Sequence, residues 1–316
     1  MLIKLAILVV VILNQLNLWS TLQEELANFV TASFTKLSFQ EEELASFENV
    51  AHLEGEIYLA PLPVRNSAVP DFETEAKAAL VLDVGTDKVL YQKNGDEELP
   101  MASLTKLMTA LVILNKAELT EIVTVSKEAV ETEGVSGHLF PGEEITVKNL
   151  LYALLVESSN DAAVALSQHI SGSVEKFVKS MNQKAKTLGL KKTHFANPSG
   201  LDENGNYSTA YELAQLTDAV LDKPLIWEML RTQEIDIQSV DGKTNHHLEN
   251  TNQLLDKLPH IVGGKTGYTE EAGRTLILVI GHPTDNHQII TVVLDVPDRF
   301  GETEKLVNWV FEAYQW

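Results

Sequence analysis

Two strand-turn-strand patterns near opposite ends of the chain limit the folds that it can adopt. The first runs through AALVLDV, the turn GTDK and VLYQKN, over residues 78–94. The second runs through RTLILVIG, the turn HPTDN and HQIITVVLDV, over residues 274–296. Apolar runs of this length around turn residues are typical of β-hairpins. We therefore predict one antiparallel sheet that combines N-terminal and C-terminal strands.

The segment between the two hairpins has helical periodicity instead. The pattern predicts one helix over residues 103–117, two helices that meet at SSN over 145–170, and an amphipathic helix over 173–190. A further helix over 302–316 closes the chain. Strands at both ends and helices between them predict an α/β (α+β) fold, in which helices flank the sheet and a helical lobe is inserted.

The N-terminus has the pattern of a targeting segment. Lys4 precedes an apolar run over residues 5–13, and no cleavage site follows promptly, which favours an uncleaved signal-anchor over a cleaved signal peptide. A buried N-terminal helix is the alternative. We predict a signal peptide or signal-anchor over 1–20, an acidic, proline-containing tether over 21–75 and a catalytic domain over 76–316. The domain would then be extracytoplasmic, in the cell envelope, attached to the cytoplasmic membrane by its N-terminal segment or secreted after cleavage.

Charge and cysteine content disfavour several classes of function. The chain has 24 Lys and Arg against 45 Asp and Glu, which makes nucleic-acid binding a poor interpretation because the phosphate backbone is itself anionic. Since it has no cysteine, it has no disulfide, cysteine-based zinc site or thiol nucleophile. The 9 histidines show no metal-ligand spacing, and we expect neither a metal nor a cofactor. Hydrolytic chemistry would have to come from Ser, Thr, Lys, Asp or Glu.

The motif SLTK can supply a nucleophile and its base. A serine hydroxyl is a weak nucleophile until a neighbouring base takes its proton. Residues three apart share one face of a helix, so the amine of Lys106 can lie beside Ser103 Oγ. The amine acts as a base only when neutral, and burial together with a second cation, Lys265, would lower its pKa. Taken alone, such a pair is more often two solvated helix positions.

The motif SSN adds a second hydroxyl and a carboxamide. Ser158 could pass a proton between Lys106 and a leaving amine. Asn160 could hold Lys106 and contact the backbone amide of a substrate. The alternative for SSN alone is a helix N-cap, because Asp161 follows it.

The motif KTG consists of Lys265, Thr266 and Gly267 and precedes a strand pattern. Its glycine lets an edge strand approach a ligand backbone closely. Lys265 and Thr266 would face an anionic carboxylate, and the amide of Tyr268 could form an oxyanion hole with the amide of Ser103. A glycine-rich turn within a hairpin is the alternative.

With the three motifs in this order, the sequence resembles the D-alanyl-D-alanine carboxypeptidases among the low-molecular-mass penicillin-binding proteins. The likeness runs from about residue 76 to the end of the chain, through blocks such as PMASLTKLMTA, LLVESSNDAAVAL, FANPSGLD and GGKTGYTEEAG. It implies a DD-peptidase/β-lactamase-like fold. It also implies four roles: nucleophile for Ser103, general base for Lys106, proton relay for Ser158 and carboxylate binder for Lys265. The substrates would be peptidoglycan stem peptides that end in D-Ala-D-Ala, and β-lactams would be covalent inhibitors.

The sequence also departs from the family pattern. Well-studied members carry an additional β-rich C-terminal domain and a terminal membrane anchor, whereas this chain ends at Trp316. We therefore expect no C-terminal β domain, and membrane attachment through the N-terminal segment. Some members have an arginine at the position of Thr251 that binds the substrate carboxylate, and Arg274 is the expected replacement.

Three other functions share part of this pattern. A D-alanyl-D-alanine endopeptidase, which cuts peptide cross-links, has the same motifs. A class A β-lactamase adds a glutamate that activates the deacylating water, but the stretch between SSN and KTG has no Glu-x-x-Leu-Asn pattern. A non-catalytic peptidoglycan binder is disfavoured because the reactive side chains of SLTK, SSN and KTG are intact.

Overall fold

The computed structural model describes residues 62–135, 137–203 and 205–316. The predicted signal segment and the part of the predicted tether over residues 21–61 lie outside these ranges and stay predictions. None of the helices in the described ranges combines the length and the apolar character that crossing a membrane requires.

The strands of the described ranges form one five-stranded sheet and three two-stranded sheets. In chain order they are β1 (Val64–Arg65), β2 (Ala78–Asp83), β3 (Val89–Lys93), β4 (Ile122–Thr124), β5 (Glu144–Thr146), β6 (Glu234–Gln238), β7 (Asn245–Glu249), β8 (Ile261–Thr269), β9 (Gly273–Gly281), β10 (Gln288–Leu294) and β11 (Tyr314–Gln315). The small sheets pair β1 with β11, β4 with β5 and β6 with β7.

The helices lie mainly between β3 and β6. They are α1 (Lys106–Leu114), α2 (Lys127–Val130), α3 (Val147–Tyr152), α4 (Asn160–Ser171), α5 (Val174–Leu188), α6 (Ala210–Asp218), α7 (Pro224–Arg231) and α8 (Arg299–Ala313). A 3-10 helix over Ala102–Thr105 precedes α1, and a π-helical turn over Ala153–Glu157 follows α3.

The large sheet joins the two hairpins that the sequence predicts. Its order is β3-β2-β10-β9-β8, and all neighbouring strands are antiparallel. Ala78 lies opposite Leu294 and Asp83 lies opposite Ile289, so the first hairpin pairs directly with the last strand of the second. The predicted α/β fold, with an antiparallel sheet from N- and C-terminal strands, is confirmed. The KTG strand β8 lies at the edge of this sheet.

Alternate residues of the sheet pack on opposite faces, as the period of two in a strand requires. Leu80, Ile277 and Val292 point into the larger apolar core, which the inserted helices share. Leu278 and Val293 point into a second core against α8. Each of these fully buried side chains stabilises the fold by about 1.5–3 kcal/mol relative to an exposed position, so both helical layers are fixed to the sheet.

The folded unit begins earlier in the chain than the sequence indicates. β1 pairs with β11, with Val64 opposite Gln315. The guanidinium of Arg65 also lies 5.0 Å from the centre of the Trp309 ring. Residues of the predicted tether from 64 onward are therefore bound to the domain. The sequence did not indicate this strand, because two residues are too few to show alternation.

Candidate active site

Ser103 and Lys106 lie where the 3-10 helix gives way to α1. The tighter 3-10 winding ends at Thr105, and α1 begins at Lys106. Ser103 remains partly exposed, whereas Lys106 is completely buried. Lys106 Nζ lies 2.9 Å from Ser103 Oγ, so the amine is within hydrogen-bonding distance of the hydroxyl.

Two further contacts fix the direction of the Lys106 amine. Nζ donates to Asn160 Oδ1 at 2.7 Å and to the carbonyl oxygen of Ser199 at 2.6 Å. Both oxygens can only accept hydrogen bonds. A neutral amine has two N–H groups and one lone pair. When these carbonyls take both N–H groups, the lone pair is left for the Ser103 hydroxyl.

The surroundings of Lys106 favour this neutral amine. Its burial lowers the pKa of Lys106 well below the usual value, and the charge of Lys265 lowers it further. Asp161 acts in the opposite direction and raises it. Because a buried charge without a full counter-charge is costly, burial shifts the equilibrium of Lys106 toward the neutral amine.

Ser158 lies at a sharp change of backbone direction. The π-helical turn ends there, and Ser158 has a φ of 71°, in the left-handed region. This conformation separates α3 from α4 and leaves Ser158 at the helix junction, where its Oγ accepts a hydrogen bond from Lys265 Nζ at 2.8 Å. The SSN hydroxyl is thus joined to the KTG amine.

Gly267 lies between the Thr275 side chain and the 3-10 helix. A Cβ atom on Gly267 would lie 2.5 Å from Thr275 Oγ1 and 3.0 Å from the Ser103 amide nitrogen. The first of these separations is never seen for a real Cβ atom. The glycine of KTG therefore allows the edge strand to pass directly beside Ser103.

Lys265 is a buried amine with a shifted titration. Its burial and the positive charge of Arg299 lower the pKa of Lys265 to about 7. An amine with this pKa is partly protonated at neutral pH and becomes fully protonated when an anion binds beside it. Lys265 can therefore become positively charged when an anionic ligand binds.

Two arginines lie near KTG, and the sequence pointed to only one of them. Arg299, the first residue of α8, donates from Nη1 to the carbonyl oxygen of Gly267 at 2.8 Å. Arg274 is exposed, and its guanidinium lies 5.6 Å from the centre of the Tyr268 ring. Thr251, where some family members have arginine, places its Oγ1 2.5 Å from Thr266 Oγ1.

A cavity of about 550 Å³ adjoins these groups, and its wall includes Ser199 and Tyr268. Four carboxylate side chains also line it, those of Glu133, Asp202, Glu203 and Glu270. Of the candidate site residues, Tyr268 lines this cavity, as does Ser199, whose carbonyl oxygen accepts from Lys106. Among the residues that the structure describes, no group of three or more His, Cys, Asp or Glu could hold a metal ion.

A family model described as D-alanyl-D-alanine carboxypeptidase matches residues 64–298. The chain belongs to this family. The resemblance predicted from SLTK, SSN and KTG is therefore confirmed, and the match begins at the first residue of β1.

Similar proteins carry two kinds of name. D-alanyl-D-alanine carboxypeptidase DacF from Bacillus subtilis is 40% identical over 249 residues, which cover 76% of this chain and 63% of DacF. A D-alanyl-D-alanine endopeptidase from Pseudomonas aeruginosa is 37% identical over 245 residues, which cover 75% of this chain and 78% of that protein. The chain thus spans less than two thirds of the length of DacF.

Solved structures of two similar proteins have the same fold. A D-alanyl-D-alanine carboxypeptidase from Mycobacterium tuberculosis aligns with a TM-score of 0.72 and 28% identity, covering 78% of this chain and 95% of that chain. The Streptomyces K15 DD-transpeptidase aligns with a TM-score of 0.72 and 30% identity, covering 77% of this chain and 100% of that chain.

The structure brings the three predicted motifs of this family member together and adds groups that the sequence did not indicate. Ser103, Lys106 and Asn160 share one hydrogen-bonded cluster, and Lys265 joins Ser158 beside it. The additional groups are the Ser199 carbonyl and the Arg299 guanidinium. The block FANPSGLD contains Ser199, but every residue has a backbone carbonyl, so the residue type does not reveal this contact.

Proposed function

We propose that the protein is a serine D-alanyl-D-alanine carboxypeptidase that removes the terminal D-Ala from peptidoglycan stem peptides. The observation that carries this proposal is the Lys106 amine, which lies 2.9 Å from Ser103 Oγ and gives its two N–H groups to carbonyl oxygens. A neutral amine held in this direction is a base for that hydroxyl. The family membership supplies the substrate class.

The reaction would proceed through an ester of Ser103. Oγ attacks the carbonyl carbon between the last two D-alanines while its proton passes to Lys106. The C–N bond then breaks, and the leaving amine takes a proton through the hydroxyl of Ser158. Water hydrolyses the ester, which releases the shortened peptide and restores the serine. The amides of Ser103 and Tyr268 are the proposed oxyanion donors.

The groups around KTG would bind the terminal carboxylate of the substrate. Lys265 and Arg299 provide positive charge, and the hydroxyl of Thr266 provides a hydrogen-bond donor. The open edge of β8 can pair with an extended peptide backbone, as in other cases of strand addition. Arg274, being exposed, is proposed as a secondary contact at the rim.

Labelled penicillin and a D-Ala-D-Ala pentapeptide test the proposal directly. The protein should form a covalent adduct with penicillin that is absent from Ser103→Ala, and it should release free D-Ala from the pentapeptide. No adduct with the intact protein would contradict the acyl-enzyme and favour a non-catalytic binder. Rapid turnover of penicillin would instead indicate a β-lactamase.

An endopeptidase is the second candidate, because the relative named endopeptidase aligns over 78% of its own length, more than the 63% of DacF. The two activities differ in the amine that leaves, which is D-Ala in one and a cross-linked peptide in the other. Release of D-Ala from the pentapeptide without cleavage of a cross-linked dimer supports the carboxypeptidase. Cleavage of the dimer alone supports the endopeptidase.

Binding of anionic ligands should weaken above neutral pH. The pKa of Lys265 is about 7, lowered by burial and by Arg299, so the amine loses its charge as the pH rises through this value. The dissociation constant of a carboxylate-bearing β-lactam should increase up to about tenfold per pH unit above the pKa. A β-lactam with an esterified carboxylate is the control and should show no such increase. A constant affinity from about pH 6 to about pH 9 would contradict the role of Lys265.

Removal of the Arg299 charge should affect the same binding step. Arg299→Gln should raise the dissociation constant of an anionic β-lactam about tenfold, near the lower end of the range for one charge-assisted contact. The midpoint of its pH dependence should move upward, because Arg299 lowers the pKa of Lys265. Arg231→Gln, at an exposed position at the end of α7, is the matched control. An unchanged midpoint in Arg299→Gln would contradict the coupling.

Export and membrane attachment are proposed from the N-terminal sequence and the substrate. Peptidoglycan is extracytoplasmic, so an enzyme that trims it must act outside the cytoplasmic membrane. The apolar run over residues 5–13 is the proposed signal or anchor, and 21–61 is the remaining proposed tether. Cell fractionation of the full chain, compared with a chain that lacks residues 1–20, would test the attachment.

A further inference from the structure

Two short stretches of backbone, 133–135 and 137–139, lie against the SSN motif and take no part in the proposed reaction. The first stretch is bound by Asn160. The backbone amide of Asn160 donates to the carbonyl oxygen of Val135 at 2.8 Å, and the side-chain Nδ2 of Asn160 donates to the carbonyl oxygen of Glu133 at 2.8 Å. Because a carbonyl only accepts, this contact places Nδ2 outward and leaves Oδ1 facing Lys106.

The second stretch is bound by the carboxylate of Asp161, which is completely buried. The amide nitrogen of Gly137 donates to Oδ1 at 2.9 Å and to Oδ2 at 3.0 Å. The amide of Ala162 donates to Oδ1 at 2.8 Å, and the hydroxyl of Ser159 also bonds to Oδ1. These hydrogen bonds converge on one buried carboxylate, so Asp161 fixes this stretch.

Glycines allow both stretches to come this close. A Cβ atom on Gly137 would lie 2.8 Å from Ser159 Oγ and 3.2 Å from Asp161 Oδ1. A Cβ atom on Gly134, where φ is +89°, would lie 2.6 Å from Asn160 Nδ2. The close approach of the two stretches to the SSN motif therefore depends on glycine at positions 134 and 137.

We propose that Asp161 is a positioning residue for the proposed acylation, acting through the backbone at 133–135 and 137–139 on the Asn160 amide. The carboxylate holds Gly137, the adjoining backbone holds Nδ2 of Asn160, and the amide oxygen is thereby kept on Lys106. If the amide turned over, it would present an N–H donor to the amine and compete for the lone pair that Ser103 needs. The inference rests on the proposed function of Lys106 as base.

Asp161→Asn tests this chain of contacts. Asparagine has the same shape but replaces one acceptor oxygen with an NH2 group, which faces N–H donors and loosens the stretch. The first-order acylation constant for penicillin should fall about 100-fold, as expected when a catalytic group is misplaced. The dissociation constant of penicillin before acylation should stay unchanged, because the KTG groups are untouched. General damage would change both constants.

The charge of Asp161 adds a second readout. Asp161 raises the pKa of Lys106, against the effects of burial and Lys265. Its removal should move the acidic limb of the acylation profile to lower pH. Gly137→Ala keeps the charge but displaces the stretch, so it should lower the acylation constant without moving the limb. This variant also decides the matter if Asp161→Asn does not fold.

Asp83→Asn is the control, since Asp83 is also completely buried but bonds to Thr86 and Trp316. It should acylate at the normal rate. Normal acylation by folded Asp161→Asn or Gly137→Ala would overturn the proposal, as would equal losses in binding and acylation. Failure of the intact protein to react with penicillin would instead refute the proposed function, so the two failures are distinguishable.

Discussion

Replacement of Lys106 by alanine is expected to slow the labelling of Ser103 by penicillin severely and to leave the fold intact. The amine lies 2.9 Å from Ser103 Oγ, and its burial, with the charge of Lys265, lowers its pKa well below the usual value. A positioned general base contributes about 10²–10⁴-fold to a reaction rate. The acylation constant should fall by about that factor.

The fold should survive because alanine is a good helix former at the start of α1. The variant leaves the oxygens of Asn160 and Ser199 without their donor and the Ser103 hydroxyl without its acceptor, at about 1–3 kcal/mol for each buried group. Ser103 is partly exposed, so water can enter and offset part of this cost. A domain with about 5–15 kcal/mol of stability tolerates the remainder.

Lys116→Ala is the matched control for this prediction. Lys116 follows the end of the same helix, is exposed, and bonds to Ser180 on α5. It should label normally. The measurements are the rate of labelling with fluorescent penicillin and the thermal unfolding of each variant. Normal labelling and normal melting in Lys106→Ala would contradict its role as base and direct attention to Ser158 with Lys265.

The features that the sequence predicted are those with short-range causes. β2, β3, β9 and β10 carry apolar runs around turn residues, so each hairpin is visible locally. The pair Ser103 and Lys106 was expected to meet because three residues make about one helical turn, although the turn is 3-10 at Ser103 and α-helical only from Lys106. Such relations do not depend on the rest of the chain.

The features that the sequence did not predict depend on contacts between residues that are far apart in the sequence. Arg299 reaches KTG because α8 starts beside the end of β10, and no motif surrounds it. The Ser199 carbonyl is a backbone group, and any residue could provide it. The hairpin of β6 and β7 was also missed, although EIDIQ alternates polar and apolar residues, because its partner NHHLE has only one strongly apolar residue.

Gly200→Ala is expected to damage both the site and the fold, because Gly200 is buried against the 3-10 helix. Gly200 has a φ of +85°, and a Cβ atom there would lie 2.0 Å from the carbonyl oxygen of Ala102 and 2.9 Å from the amide nitrogen of Ser103. These neighbours are backbone atoms that no side-chain rotation can move. The substitution must therefore separate the 3-10 helix from the segment that carries the Ser199 carbonyl.

The expected loss in free energy of unfolding is about 4 kcal/mol or more, the range of substitutions that disrupt a special backbone conformation in a packed core. Acylation should be lost as well, because the Ser199 carbonyl oxygen, which accepts from Lys106, moves away from the Ser103 amide. Gly142→Ala is the control: its φ is +82°, but no atom lies within 4 Å of the added Cβ. It should cost only about 1–2 kcal/mol, the strain of a left-handed residue. Chemical denaturation measures the loss of stability, and penicillin labelling measures the loss of acylation. Similar results for the two variants would contradict the prediction, because left-handed strain alone would then account for the requirement for glycine at position 200.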